Sequence, residues 1–229
     1  MQKRSDRGLV IIGVYNKPEL FLFCKSTLHF HLQEAGGNQL SYYVCCMNKP
    51  EVHYLPNGLC VLYVHHPDSP VAHCGLLIKA GTRDEEKGKE GLAHFIEHSL
   101  FKGTTHRKSY HILNRLEVVG GELNAYTTKE ETCLHASVMS RYFERAAELI
   151  ADVAFHSIFP VKEIEKEKEV ILDEIRAYQD TPYEQIFDDF EGQLFQGHSL
   201  GHPILGTEES LRAFKRKDLI DYIARQYDP

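Results

Sequence analysis

Two histidines and a glutamate in the segment 91–100 have the spacing of a metal site. His94 and His98 are four residues apart, which on a helix places both side chains on one face, about one turn apart. Glu97 lies within the same arc. Two imidazoles at this spacing can each offer a nitrogen to one zinc ion, and a neighbouring carboxylate can accept a proton from metal-bound water. The order H-x-x-E-H is the inverse of the commoner H-E-x-x-H motif.

This motif alone leaves a second interpretation open, in which His94 and His98 are surface residues of an amphipathic helix. A catalytic zinc site needs a third protein ligand from elsewhere in the chain. The motif therefore indicates a catalytic zinc site only if the remaining chain supplies a third ligand.

The acidic segment 161–179 is the place where a third ligand is expected. Most of its carboxylates are typical of a solvated helix face. Glu167 and Glu174 differ because they are seven residues apart, which is about two helical turns, and both flank the apolar side marked by Val170 and Ile171. A carboxylate turned towards the interior needs a compensating partner, and a metal ion is one such partner. Both glutamates are candidates on this reasoning.

Other histidines and a cysteine are expected to have ordinary surface or core roles. None of these histidines has a partner at helical ligand spacing, and Cys133 alternates with apolar residues on a predicted strand. The histidines are His65, His66, His106, His111, His135, His198 and His202.

Composition is that of an ordinary globular protein with one or two domains. The 229 residues are 42% hydrophobic and 26% charged, and the net charge of −7 argues against a nucleic acid partner. Six cysteines without C-x-x-C spacing favour a reduced, cytoplasmic compartment. No apolar run is long enough for a membrane span. The apolar residues 9–15 are short and lack a clear small-residue cleavage site, so we expect a non-secretory protein.

The order of predicted elements indicates an α+β fold, an antiparallel sheet with helices packed on it. A hairpin is predicted around Asn57-Gly58. Thr207 is the expected N-cap of a short helix. The further predicted strands cover 73–79, 123–127 and 132–139. The predicted helices cover the H-x-x-E-H segment, 109–119, 141–156, 161–179, 183–195 and 215–226.

Residues 1–46 do not show the regular pattern of residues 47–229. We predict that they form an N-terminal extension that is poorly ordered, or that they result from a mis-assigned start, with Met47 as the functional first residue. Mass spectrometry of the natural protein decides the matter, because a peptide from residues 1–46 contradicts the mis-assigned start.

Three motifs in this order strongly resemble the M16 (pitrilysin or insulinase) family of zinc metallopeptidases, particularly the branch of the mitochondrial processing peptidase and its bacterial relatives. The resemblance covers about residues 50–229. The motifs are GLAHFIEH at 91–98 with FKGT at 101–104, GGELNAYT at 120–127 and EKEKEVILDE at 165–174. The separation between His98 and Glu174 is the spacing at which this family places its third ligand.

The resemblance implies a zinc metalloendopeptidase acting on peptides or unfolded segments. His94, His98 and Glu174 would bind one zinc ion, and water would hold the fourth position. Glu97 would be the general base, and Glu167 would support the site without ligating the metal. Two histidines and one glutamate favour zinc over other divalent ions.

The motif around Asn124, Ala125 and Tyr126 matches the edge strand on which the family binds its peptide substrates by β-augmentation. Tyr126 can also serve only in packing. Members of this branch usually carry two homologous halves, and the second half closes the chamber over the substrate. The present sequence matches only the first half, so we expect either a partner that provides a second half or a fragment of a longer product.

An alternative function is that of a non-catalytic or weakly active structural subunit. Some core subunits of respiratory complexes resemble this family without acting as peptidases. The presence of His94, Glu97, His98 and Glu174 together favours the enzyme, because a subunit without chemistry has no need of all four.

Overall fold

Six strands form one sheet in the structure, a computed structural model that describes the backbone of residues 9–15 and all of residues 50–66 and 68–228. The strand order is β2-β3-β1-β4-β6-β5. The strands are β1 Leu9–Tyr15, β2 Glu51–Tyr54, β3 Cys60–His65, β4 Val71–Ile78, β5 Glu122–Thr127 and β6 Thr132–Met139.

Strand β1 lies inside this sheet, parallel to β3 and antiparallel to β4. The other neighbouring strands pair antiparallel. The α+β class with an antiparallel sheet is thus confirmed, with the β1–β3 pair as the one parallel addition among the described strands. Leu9–Tyr15, which falls within the predicted N-terminal extension, forms strand β1 and pairs on both sides. The rest of that range lies outside the described residues, and the boundary at Met47 stays a prediction.

Seven α-helices follow the predicted order in the described part of the chain. They are α1 Leu92–Leu100, α2 Ser109–Glu117, α3 Phe143–His156, α4 Val161–Gln179, α5 Pro182–Leu194, α6 Glu208–Ala213 and α7 Arg216–Gln226. The Thr207 hydroxyl accepts a hydrogen bond from Ser210 N–H at 3.1 Å, which confirms the predicted N-cap. None of the helices that the structure describes is both long and apolar enough to cross a membrane.

Helix α1 is buried on most of its surface and packs against α4, α7 and strand β5. Phe95, Ile96 and Leu100 have no exposed surface. The Phe95 ring meets Phe214 edge-on at a centroid distance of 5.5 Å. Since these apolar residues fix the rotation of the helix about its axis, they also fix where the polar residues of α1 point.

The N-terminus of α1 is held by a side chain and by a close approach of two backbones. Glu85 accepts hydrogen bonds from the N–H groups of Gly91 at 2.9 Å and Ala93 at 2.7 Å. Gly91 has φ of +90° and Gly206 has φ of +72°. A Cβ on Gly206 would collide with the carbonyl oxygen of Glu90. The backbone of the segment before α6 is therefore in direct contact with the backbone at the start of α1.

We expect Gly206→Ala to destabilise the fold much more than Gly88→Ala. Both positions have positive φ, but nothing lies within 4 Å of a Cβ at Gly88. The left-handed conformation alone costs alanine about 1–2 kcal/mol, and the collision at Gly206 adds about 1–3 kcal/mol of overpacking. Urea unfolding of both variants checks this, and equal losses would show that the two backbones are not in close contact.

The Glu85 carboxyl also makes the free energy of unfolding depend on pH. Burial raises its pKa from 4.5 to about 8, although the hydrogen bonds from Ala93 and Gly91 act in the opposite direction. Between these values the folded protein holds a proton that the unfolded chain has lost, so this group makes the free energy of unfolding fall as pH rises.

Replacement of Glu85 by glutamine should remove that contribution, so that unfolding free energy depends less steeply on pH between 5 and 8. The measurement is urea unfolding across this range. Glu86→Gln is the control, because it removes a neighbouring carboxylate that is exposed. Parallel profiles for Glu85→Gln and the unmodified protein would contradict the prediction.

Candidate metal centre

Helices α1 and α4 bring His94, His98 and Glu174 together. His94 Nε2 lies 3.9 Å from Glu174 Oε1, and His98 Nε2 lies 3.7 Å from Glu174 Oε2. One ligand atom from each residue lies within 4.8 Å of the others. These distances exceed those of hydrogen bonds but approach the roughly 3.3–3.5 Å between ligands that zinc bonds of about 2.0–2.1 Å produce in a tetrahedron. The donor set therefore fits one zinc ion.

Glu167 contacts the opposite side of the His98 ring. Its Oε1 lies 3.0 Å from His98 Nδ1, and its Oε2 lies 2.6 Å from Lys102 Nζ. Burial acts to raise the pKa of Glu167, but the hydrogen bonds from His98 and Lys102 outweigh it and the pKa is lowered. A carboxylate that accepts from Nδ1–H fixes the tautomer in which the Nε2 lone pair is available. That Nε2 atom is the one that faces Glu174.

His94 is the more deeply buried imidazole, with 8% of its surface exposed. Burial, followed by the neighbouring His98, lowers its pKa to about 3. The ring is consequently neutral at physiological pH, which is the form that binds metals. Its Nδ1 is buried without a hydrogen-bond partner among the residues that the structure describes.

Glu97 follows on the same helix and lies outside the three-residue ligand cluster. Burial raises the pKa of its carboxyl, the Thr127 side chain and His98 act to lower it, and Glu174 adds to the rise. A carboxyl with a raised pKa beside the candidate ligands can accept and return a proton more readily than an ordinary glutamate.

Asn124, Ala125 and Tyr126 lie on β5, which forms one edge of the described sheet. Helix α1 packs beside this strand. The Asn124 Oδ1 atom accepts from the Ala125 N–H at 2.9 Å, and the half-exposed Tyr126 donates its hydroxyl to Glu131 at 3.3 Å. The strand thus presents an open edge next to the helix that carries the histidines.

Sequence reasoning did not assign roles to Lys102 and Thr127. Lys102 follows His98 by four residues, but its carboxylate partner Glu167 comes from another helix. Thr127 is the last residue of β5, and its side chain acts to lower the pKa of Glu97 on α1. Both lie inside the recognised motifs, yet their partners are set by packing, which spacing along the chain does not reveal.

A match to the family model described as Insulinase (Peptidase family M16) covers residues 60–208. The chain therefore belongs to peptidase family M16.

Similar proteins agree with this assignment. An uncharacterized zinc protease of Mycobacterium leprae is 41% identical over 175 residues, covering 76% of this chain and 39% of that protein. The mitochondrial-processing peptidase subunit beta of Bos taurus is 39% identical over 200 residues, covering 84% of this chain and 40% of that subunit. The crystal structure of a protease from Helicobacter pylori superimposes with a TM-score of 0.74 at 26% identity, covering 78% of this chain and 43% of that one. The chain spans about two fifths of the length of these curated relatives.

Replacement of Glu167 by glutamine should weaken zinc binding by about 10–100-fold, the usual effect of losing a carboxylate that orients a ligating histidine. The measurement is competition for zinc against a chromophoric chelator. Glu169→Gln is the matched control, because Glu169 lies on the same helix with its side chain 70% exposed. Equal affinities for the two variants would show that Glu167 does not act through His98.

Proposed function

We propose that this chain is the zinc-binding half of a metalloendopeptidase that hydrolyses peptide bonds in peptides or unfolded protein segments. The observation that carries the proposal is the convergence of His94, His98 and Glu174 with Glu97 beside them and Glu167 behind His98. The family membership and the relatives named zinc proteases support the same class of activity.

In this proposal His94, His98 and Glu174 hold one zinc ion per chain. Their three donor atoms leave a coordination position for water. When bound, the ion supplies Lewis acidity that lowers the pKa of a coordinated water and polarises the scissile carbonyl. Glu167 contributes by holding His98 in the tautomer with Nε2 free, and Lys102 holds Glu167 in its ionised form.

Glu97 is the proposed general base. It accepts the proton of the attacking water and passes that proton to the amine that leaves when the peptide bond breaks. Its partial burial supports the role, because a carboxyl whose pKa is raised towards neutrality is better matched to both transfers than an exposed one.

Peptide binding is proposed along the open edge of β5. A substrate strand added there would pair through main-chain hydrogen bonds, which give affinity with little sequence selectivity. Ala125 N–H is occupied by the Asn124 side chain in this structure, so that contact would exchange for a substrate carbonyl on binding. A second M16-type half, in a partner or in further sequence, is proposed to cover this edge, since the solved relative is about twice as long.

The non-catalytic subunit remains the second candidate, but the structure offers it less support. A structural subunit does not require a neutral buried His94 facing a carboxylate, nor a Glu167–His98 pair on the far side of the His98 ring. Burying polar groups costs free energy unless it is compensated, and zinc is the natural compensation here.

Glu97→Gln should abolish peptide cleavage while leaving zinc content unchanged, because the glutamine cannot accept a proton and Glu97 is not among the ligands. We expect a loss of about 100-fold or more, the usual contribution of a general base. The measurement is cleavage of a quenched fluorescent peptide alongside metal analysis. Glu163→Gln is the control, because Glu163 lies on α4 outside the ligand cluster and pairs with Lys166.

The assay includes a two-half relative whose own general base has been replaced by glutamine, so that it can cover the site without adding activity. Cleavage that depends on Glu97, with or without this relative, supports the proposal. Stoichiometric zinc without cleavage under either condition would establish the non-catalytic subunit instead.

A further inference from the structure

A second cluster of metal-ligating side chains lies between helix α3 and the loop that joins α1 to α2. Its members are His106, Asp152 and His156, and one ligand atom of each lies within 4.8 Å of the others. His106 Nδ1 lies 2.6 Å from Asp152 Oδ1, and His156 Nδ1 lies 3.4 Å from the same oxygen. The cluster shares no residue with the centre on α1 and α4.

The two oxygens of Asp152 have different surroundings. Oδ2 accepts hydrogen bonds from the Thr104 hydroxyl at 2.9 Å and from the Arg107 guanidinium. Oδ1 faces only the two imidazoles among these contacts. The Asp152 side chain is 4% exposed, so its orientation is fixed by burial and by the Oδ2 bonds. A ligating carboxylate is typically held in this way by hydrogen bonds to its other oxygen.

The two histidines beside this buried carboxylate are themselves open to solvent. The side chains of His106 and His156 are 58% and 49% exposed, and their ring centroids are 4.8 Å apart at an interplanar angle of 78°. His156 follows Asp152 by four residues on α3, which is the spacing that places two ligands on one helix face. An ion can therefore approach the cluster from the side of the two imidazoles, and its binding would replace the hydrogen bond of 2.6 Å between His106 and Asp152.

Nearby charges do not prevent a cation from binding. The Arg107 guanidinium donates to both carboxylate oxygens of Glu148, at 2.7 and 2.9 Å, as well as to Asp152. Arg115 also reaches Glu148, at 3.4 Å. The charges of the two arginines are thus balanced by the carboxylates of Glu148 and Asp152.

We propose that His106 Nδ1, Asp152 Oδ1 and His156 Nδ1 form a second divalent metal site, which takes Zn²⁺ or another transition ion of similar ligand preference. Two imidazoles and one carboxylate suit zinc, cobalt, nickel and copper better than magnesium or calcium. Binding there would join the loop after α1 to the C-terminal turn of α3. The sequence analysis gave His106 an ordinary role, because its approach to Asp152 and His156 depends on the fold and not on spacing along the chain.

Cobalt titration followed by visible absorbance tests the proposal on the purified chain, with equivalents counted against a chelator. We expect two Co²⁺ per chain, and one fewer in His106→Ala and in His156→Ala. His111→Ala is the matched control, because it removes an exposed histidine from α2 and should still leave two. Circular dichroism confirms that each variant is folded, and the exposure of both cluster histidines makes this the expected result.

His98→Gln separates the two sites. It should retain one equivalent, and that equivalent should disappear in the double variant His98→Gln/His156→Ala. A single equivalent in the unmodified chain that survives His98→Gln but not His156→Ala would overturn the α1 centre and leave this proposal standing. Binding that is unchanged in His106→Ala and His156→Ala would overturn the second site and show that the cluster is only a hydrogen-bonded ion pair.

Discussion

The burial of α1 is the constraint on which the rest of the site depends. Phe95, Ile96 and Leu100 are fully buried, and because side chains on a helix repeat every 3.6 residues, their burial leaves one orientation for the two histidines. That orientation faces α4. The hydrophobic residues of the motif thus set the direction of its polar residues, and the candidate metal centre depends on core packing as much as on ligand identity.

Fixing the rotation of α1 is not sufficient, because a shift along its axis would misalign both imidazoles with α4. Glu85 binds two N–H groups in the first turn, and the backbones of Gly91 and Gly206 approach too closely to admit a Cβ. Gly206 comes from a segment more than one hundred residues later, so the register of α1 is set by long-range contact. The two glycines therefore fix the position of α1 along its axis, on which the positions of His94 and His98 depend.

Local patterns predicted most elements of the fold because each pattern is decided by neighbours in sequence. The hairpin at Asn57-Gly58 and the Thr207 cap are examples, and the predicted bounds of α4 agree with those observed. Strand β1 was missed because its apolar run has no alternation, and its partners β3 and β4 lie far along the chain. The histidine pair could be predicted for the same reason as the hairpin, because both depend on local spacing in the sequence. The role of Lys102 could not, because its partner Glu167 comes from another helix.

The two glutamates of α4 show how packing separates residues that spacing treats alike. Glu167 and Glu174 lie on one side of the helix, and their spacing alone made both of them candidates for the third ligand. Glu167 is 6% exposed, and its two oxygens are taken by His98 Nδ1 and Lys102. Glu174 has a side chain 43% exposed, and its oxygens face the Nε2 atoms of both histidines. The first carboxylate is committed to protein partners and the second is available to an ion, so the contacts favour Glu174 as ligand and Glu167 as its support.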